Sequence, residues 1–148
     1  PEKVRVIMGW PPPPNLEELQ IFLGLSGFYR RFIRDYAKLA VPMTDQLKGK
    51  GKDFKWGTDQ DKSFETLKVA IATAPILSIV DPNKPFVVEA DASDMAVGAV
   101  LIQEGRPVAF ESKKLDHAKQ NYSVYERELY AIVHALKKWK WCQITDTV

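Results

Sequence analysis

The chain has 148 residues, 45% of them hydrophobic and 27% charged, a globular composition with room for one ordinary domain or two small pieces. No apolar run approaches the ~20 residues that a membrane-spanning helix requires, and no signal-like core follows the N-terminus, so a membrane role is not expected. The net charge of +2 is too small to indicate nucleic acid by itself, but residues 1–80 carry 12 Lys+Arg against 9 Asp+Glu while residues 81–148 carry 9 against 10, which puts the positive excess in the first half. Cys142 is the single cysteine, which excludes an internal disulfide and a cysteine-based zinc site and fits a reducing, intracellular compartment. The chain opens on Pro1 rather than Met, as expected of a piece of a longer product.

In chain order, Val4 to Met8 alternates well enough for a short strand, and Pro11 to Pro14 is a rigid extended spacer. Asn15 is a good N-cap with Glu18 three residues on, and Leu16, Leu19, Phe22 and Leu23 begin an amphipathic pattern that predicts a helix to about Tyr36. Gly24, Ser26 and Gly27 inside it lower helix propensity and predict close approach of another backbone. At ~100° per residue Arg30, Arg31 and Arg34 share one side of that helix, either as a phosphate-binding cluster or as a solvated basic face. Pro42 opens a short helix, Lys48 to Lys52 reads as a flexible basic loop, and Thr58 with Asp61 caps a helix whose Phe64, Leu67 and Ile71 are spaced for burial. Ala74-Pro75 stops it, Ile76 to Val80 is extended, and the Asp81-Pro-Asn83 turn divides a helical piece, 1–80, from a second piece, 81–148.

The second piece begins with a strand, Phe86 to Ala90, a break at Asp91-Ala-Ser-Asp94 and a second strand, Ala96 to Ile102, with Asp91 at the mouth of the hairpin. A carboxylate fixed by a sheet yet open to solvent suits a hard divalent cation; the same residues also make an ordinary solvated turn. After the Glu104-Gly105 turn, Pro107 to Glu111 is a third strand, so the three form an antiparallel meander. A polar connection, Lys113 to Gln120, leads to a long helix from Asn121 to about Lys140, with Tyr122, Tyr125, Leu129, Ile132, Val133, Leu136 and Trp139 as an apolar face able to cover the sheet. Glu126 and Glu128 flank that stripe on opposite sides. Glu128 shares its flank with Ala131 and Ala135 and leans toward Asp91, but periodicity leaves both glutamates open, and each also suits the first turns of a helix dipole.

The stretches Phe22-Leu-Gly-Leu-Ser-Gly-Phe-Tyr-Arg-Arg-Phe-Ile33, Phe86-Val-Val-Glu-Ala-Asp-Ala-Ser93, Gly98-Ala-Val-Leu101 and Asn121-Tyr-Ser-Val-Tyr-Glu-Arg-Glu-Leu-Tyr-Ala-Ile-Val133 together resemble the polyprotein of gypsy-type LTR retrotransposons, in order and over nearly the whole chain. The resemblance implies an α+β chain, with a thumb- and connection-like helical segment of reverse transcriptase followed by a partial RNase H-like domain of three antiparallel strands packed by one helix. It implies that Arg30, Arg31 and Arg34 contact duplex or RNA–DNA hybrid, with Ser93 near the 2′-hydroxyls. It also implies that Asp91 and Glu128 hold two divalent ions, Mg²⁺ or Mn²⁺, that hydrolyse the RNA strand.

The departures from that pattern bear on activity. The polymerase metal motif is absent, so no DNA synthesis is expected. The family's third ligand ends a fourth strand in Thr-Asp; Thr145-Asp146 matches it, but only 18 residues after Glu128. Either Asp146 is the third catalytic carboxylate, with the helix ending early so that Trp141 to Thr145 forms that strand, or the tail is unrelated sequence. The expectation is an RNase H-like nuclease weak or inactive as it stands, with a non-catalytic nucleic-acid- or protein-binding remnant as the alternative. A sheet without its remaining elements also implies a protein partner covering it.

Overall fold

The computed structural model describes residues 2–74, 77–140, 142 and 144–147. It forms two compact units, Pro1–Ile33 with Leu39–Ala74, and Arg34–Lys38 with Pro75–Val148.

The first unit is helical. Residues Glu2–Met8 form helix α1 rather than a strand: the Val-Arg-Val alternation is overridden by burial of Ile7, and the Gly9 N–H closes the last turn onto the Arg5 carbonyl. Helix α2, Leu16–Gly27, starts as expected, with Asn15 Oδ1 accepting from the Glu18 N–H at 2.9 Å. It ends nine residues before Tyr36, because Gly24, Ser26 and Gly27 terminate the helix: the Phe28 and Tyr29 N–H groups bond three residues back, to Leu25 and Ser26. A Cβ on Gly24 or Gly27 would meet nothing within 4 Å, so neither glycine serves close backbone packing.

Arg30 and Arg31 then lie in a 3-10 turn, Arg30–Phe32, and Ile33 is extended, so the expected single helical face bearing Arg30, Arg31 and Arg34 does not form. Short helices α3, Tyr36–Leu39, and α4, Val41–Thr44, follow, with Pro42 in the first turn of α4. Residues Asp45–Gly51 form a 3-10 helix, which takes up most of the Lys48 to Lys52 stretch expected as a loop. Helix α5, Thr58–Ala72, is capped by Gly57 instead of Thr58, its N–H donating to Gln60 Oε1 at 2.9 Å. Phe64, Leu67 and Ile71 are buried as their spacing predicts. The core of this unit is an aromatic chain, Trp10 to Phe22 (6.0 Å), Phe22 to Phe64 (4.7 Å) and Phe64 to Trp56 (5.8 Å). Pro75 and Ile76 lie outside the described residues.

The second unit is built on strands β1, Phe86–Ala92, β2, Ala96–Gln103, and β3, Arg106–Lys114, antiparallel as expected. Glu104 and Gly105 both take positive φ (52° and 76°), the signature of a two-residue primed turn. Asp91 is not at the hairpin mouth but within β1, opposite Gly98. The turn is made by Ser93, whose Oγ donates to the Ala96 carbonyl (3.0 Å) and accepts from the Ala96 N–H (3.2 Å). The expected polar connection is in part ordered: β3 continues to Lys114, and Asp116 caps a short helix α6, His117–Gln120. Beside it Lys119 holds the Asp116 carboxyl below its ordinary range through a hydrogen bond and charge.

The long helix, α7, spans Val124–Lys138 behind a capping box in which Ser123 Oγ accepts from the Glu126 N–H and the Glu126 carboxylate accepts from the Ser123 N–H. A fourth strand β4, Ile144–Thr147, runs parallel to β1, so the sheet is mixed, in the order β3-β2-β1-β4, with one strand more than the meander alone. Trp141 and Gln143 lie outside the described residues.

The face that α7 turns to the sheet is rotated from the expected one, although Trp139 is buried as expected and Ile132 and Leu136 are half-buried. Ala131, Ala135 and Trp139 are buried against Phe86, Val88, Leu101 and Val97, whereas Tyr125 is 76% exposed, Leu129 52% and Val133 40%. Small residues let the helix axis approach the strands closely, which turns the large side chains outward. At the other end, buried Gln103 accepts from the Asp81 N–H (2.8 Å) and donates to the carbonyls of Asp81 (2.7 Å) and Lys84 (3.1 Å), fixing the turn that feeds β1. Replacing Gln103 by Leu orphans three backbone groups and is expected to cost about 2–3 kcal/mol in urea unfolding, read as a lower midpoint with an unchanged slope.

Candidate active site

Strand alternation decides what surrounds Asp91. Phe86, Val88, Ala90 and Ala92 point to the α7 side, so Val87, Glu89 and Asp91 occupy the opposite face. There Asp91 is exposed and takes one hydrogen bond, from the Ala92 N–H to Oδ1 at 2.9 Å. It lines a concavity of about 370 Å³ with Arg34, Asp35, Glu89, Gly98 and Val100. Glu89 is legible in the sequence, two residues before Asp91 and therefore on its face; Asp35 is not, because it comes from 56 residues away in sequence and sits in the left-handed region (φ 56°).

Glu128 is exposed on α7, one turn before Ala131, on the helix that packs across β1. The capping box engages the Glu126 carboxylate, which leaves Glu128 as the acid of the pair with no capping duty. The helix does end early, at Lys138, and the Thr-Asp segment does form a strand beside β1, but its register puts Asp146 opposite Val87. That is four residues before Asp91, or roughly 13 Å along the strand at ~3.3 Å per residue. The Asp146 side chain lies outside the described residues. Among the described residues no three acidic, histidine or cysteine side chains come close enough to hold a metal ion.

Of the basic residues, Arg30 and Arg31 lie in the first unit and Arg34 in the second. Arg31 stacks on Phe32 (5.3 Å) and Arg34 on the Phe110 ring (5.2 Å), geometries that hold a guanidinium by its flat face and leave its edge for an anion. The Ser93 hydroxyl is engaged in the β1–β2 turn. No helix among the described residues is long and apolar enough to cross a membrane.

Comparison with known proteins agrees with this architecture. Residues 56–146 match the model of an RNase H-like domain found in reverse transcriptase. The chain is 44% identical over 140 residues, 95% of its length, to the retrovirus-related Pol polyprotein from transposon 297, and 41% identical to that of transposon gypsy, both of Drosophila melanogaster. It spans only 13% and 14% of those two proteins. A foamy viral protease-reverse transcriptase solved in complex with dsDNA superposes with a TM-score of 0.80 at 26% identity, over 93% of this chain and 29% of that one. The same kind of enzyme in complex with RNA/DNA hybrid shares the fold at TM-score 0.86 and 24% identity, over 99% of this chain and 21% of that one.

In a Mn²⁺ titration followed by amide line broadening, Asp91→Asn is expected to abolish broadening around Ala92 and Gly98, and Asp146→Asn to leave it unchanged. Equal loss in both variants would show that Asp146 reaches the Asp91 face.

Proposed function

The chain belongs to the RNase H-like domain family found in reverse transcriptase, and on that premise we propose that it serves a retroelement polyprotein by binding RNA–DNA hybrid or duplex nucleic acid, with little or no strand cleavage of its own. The observation that carries this reading is the Asp91 face: a carboxylate open to solvent that shares its concavity with the Arg34 guanidinium, while the backbone register of β4 puts Asp146 opposite Val87. The binding residues in this reading are Arg30, Arg31 and Arg34, with Ser93 shaping the turn next to Asp91. Asp91 and Glu128 are the acids it assigns to Mg²⁺ or Mn²⁺, with Asp146 as the third by family pattern. Two of these acids hold Mg²⁺ poorly, because the ion requires near-octahedral oxygen ligation and gives up water reluctantly. A catalytically inert, domesticated module is the alternative, favoured by the same β4 register. An intracellular setting belongs to either reading, as does a protein partner over the exposed Tyr125, Leu129 and Val133 flank of α7, where burial stabilises by about 1.5–3 kcal/mol per large side chain.

The test is a labelled RNA–DNA hybrid with Mg²⁺ or Mn²⁺, comparing the parent chain with Asp91→Asn, Glu128→Gln and Asp146→Asn. Salt-sensitive binding with negligible cleavage is expected, whereas robust hydrolysis lost in all three variants would establish a complete nuclease and overturn the reading. Arg30→Ala and Arg31→Ala are each expected to weaken binding to any sequence and to reduce the slope of log K against log salt by about 1.

A further inference from the structure

After the turn at Arg30–Phe32, five residues of the helical half, Arg34–Lys38, belong to the second unit and lie on the sheet face that carries Asp91. Three contacts fix this strap. The Arg34 guanidinium lies over the Phe110 ring, the Ala37 N–H donates to the buried Ser112 Oγ at 2.8 Å, and the Asp35 carboxylate sits so close over Gly98 that a Cβ there would collide with it. In the strand register Val100 pairs with Phe110, Gly98 with Ser112 and Asp91 with Gly98, so all three anchors share the face of Asp91. Tyr36 and Ala37 are buried, while Arg34 and Lys38 stay exposed.

The two exposed cations come to lie on opposite sides of Asp91 along β1. Arg34 shares one concavity with Asp91, Glu89 and Val100, toward the start of the strand; Lys38 shares a second with Asp91, Ser93 and Ala96, toward the turn. Asp35, Glu89 and Asp91 alone would repel a phosphodiester backbone. The strap offsets that charge at two points.

We propose that the Arg34–Lys38 strap supplies the phosphate contacts of the Asp91 face, so that a nucleic-acid strand crossing Asp91 is held by Arg34 on one side and Lys38 on the other. This inference rests on the nucleic-acid-binding reading above and extends it to Lys38, and to Gly98 as the positioning residue that admits the strap.

The experiment measures hybrid binding between 50 and 200 mM salt. Losing two phosphate contacts reduces the slope of log K by about 1.8, so the affinity loss over that range is expected to shrink about 12-fold in the Arg34→Gln, Lys38→Gln double variant. Gly98→Ala changes no charge, yet by evicting Asp35 it is expected to reproduce that shift, and to add nothing in the double-variant background. Exchange of the Ala37 amide reports strap release independently of binding, and Ser112→Ala, which removes the Ala37 acceptor, gives a second way to release it.

Arg30→Gln with Arg31→Gln should lower the slope additively with Gly98→Ala. An unchanged slope in the Arg34, Lys38 double variant, or an unchanged slope with Ala37 in fast exchange, overturns the inference while leaving the parent's binding intact. A parent chain that does not bind the hybrid overturns the functional reading together with it.

Discussion

The two-residue alternation of β1 is the constraint on which the second unit depends. The strand is hydrogen-bonded on both edges, to β2 and β4, so it cannot rotate, and a slip of one residue would exchange its faces. With Phe86 and Val88 in the core and Ala90 and Ala92 small enough for α7 to lie close, Glu89 and Asp91 are forced onto the other side. That side then needs its own cover around Val100 and Phe110, and the chain provides it from upstream through Arg34, which lies over Phe110, and Ala37, which bonds Ser112. A single periodicity thus sets where the helix packs, where the carboxylates emerge and where the strap docks.

Much of this was legible in the residues. The β1–β2–β3 meander, the Asn15 cap and the buried face of α5 follow from local pattern, because each depends on neighbours within a few positions. The Ser123-x-x-Glu126 capping box was also readable, and it separates the roles of Glu126 and Glu128 better than helical spacing does. What pattern alone did not reveal was non-local. Nothing near Asp35 indicates that its left-handed backbone places a carboxylate over Gly98, and nothing near Ser112 indicates that it accepts a hydrogen bond from Ala37, 75 positions earlier. The break of α2 at Gly27 turns on a balance: three poor helix formers in four positions suggest a packing surface, whereas their cumulative cost, roughly 0.5–1 kcal/mol each, ends the helix.

Helix α7 shows how close approach competes with apolar content. The broad stripe through Tyr125, Leu129 and Val133 carries far more hydrophobic area than Ala131 and Ala135, yet the alanine side faces the sheet. A helix packed through alanines over a strand whose own inner residues are Ala90 and Ala92 gains dispersion along its length and buries Trp139 and Phe86 at one end. The opposite orientation would force bulky side chains against small ones and separate the layers. The stripe is therefore left exposed, and its exposure follows from the packing choice rather than from a shortage of apolar residues.

The remaining constraint is the short link between α7 and β4. Five residues separate Lys138 from Ile144, and with that span the parallel strand enters beside Phe86 and reaches Thr147 opposite Val88. Two-metal hydrolysis places tight demands on such geometry, since its carboxylates must meet within a few ångströms around ions ~3.5–4 Å apart. Phosphate binding tolerates far more, because exposed arginines and lysines act through charge over a screening length of roughly 8–10 Å and through flexible stems. The β4 backbone register that sets Asp146 opposite Val87 bears on the first demand and not on the second, because the exposed arginines and lysine sit on the strap and on the 3-10 turn, elements that β4 does not position.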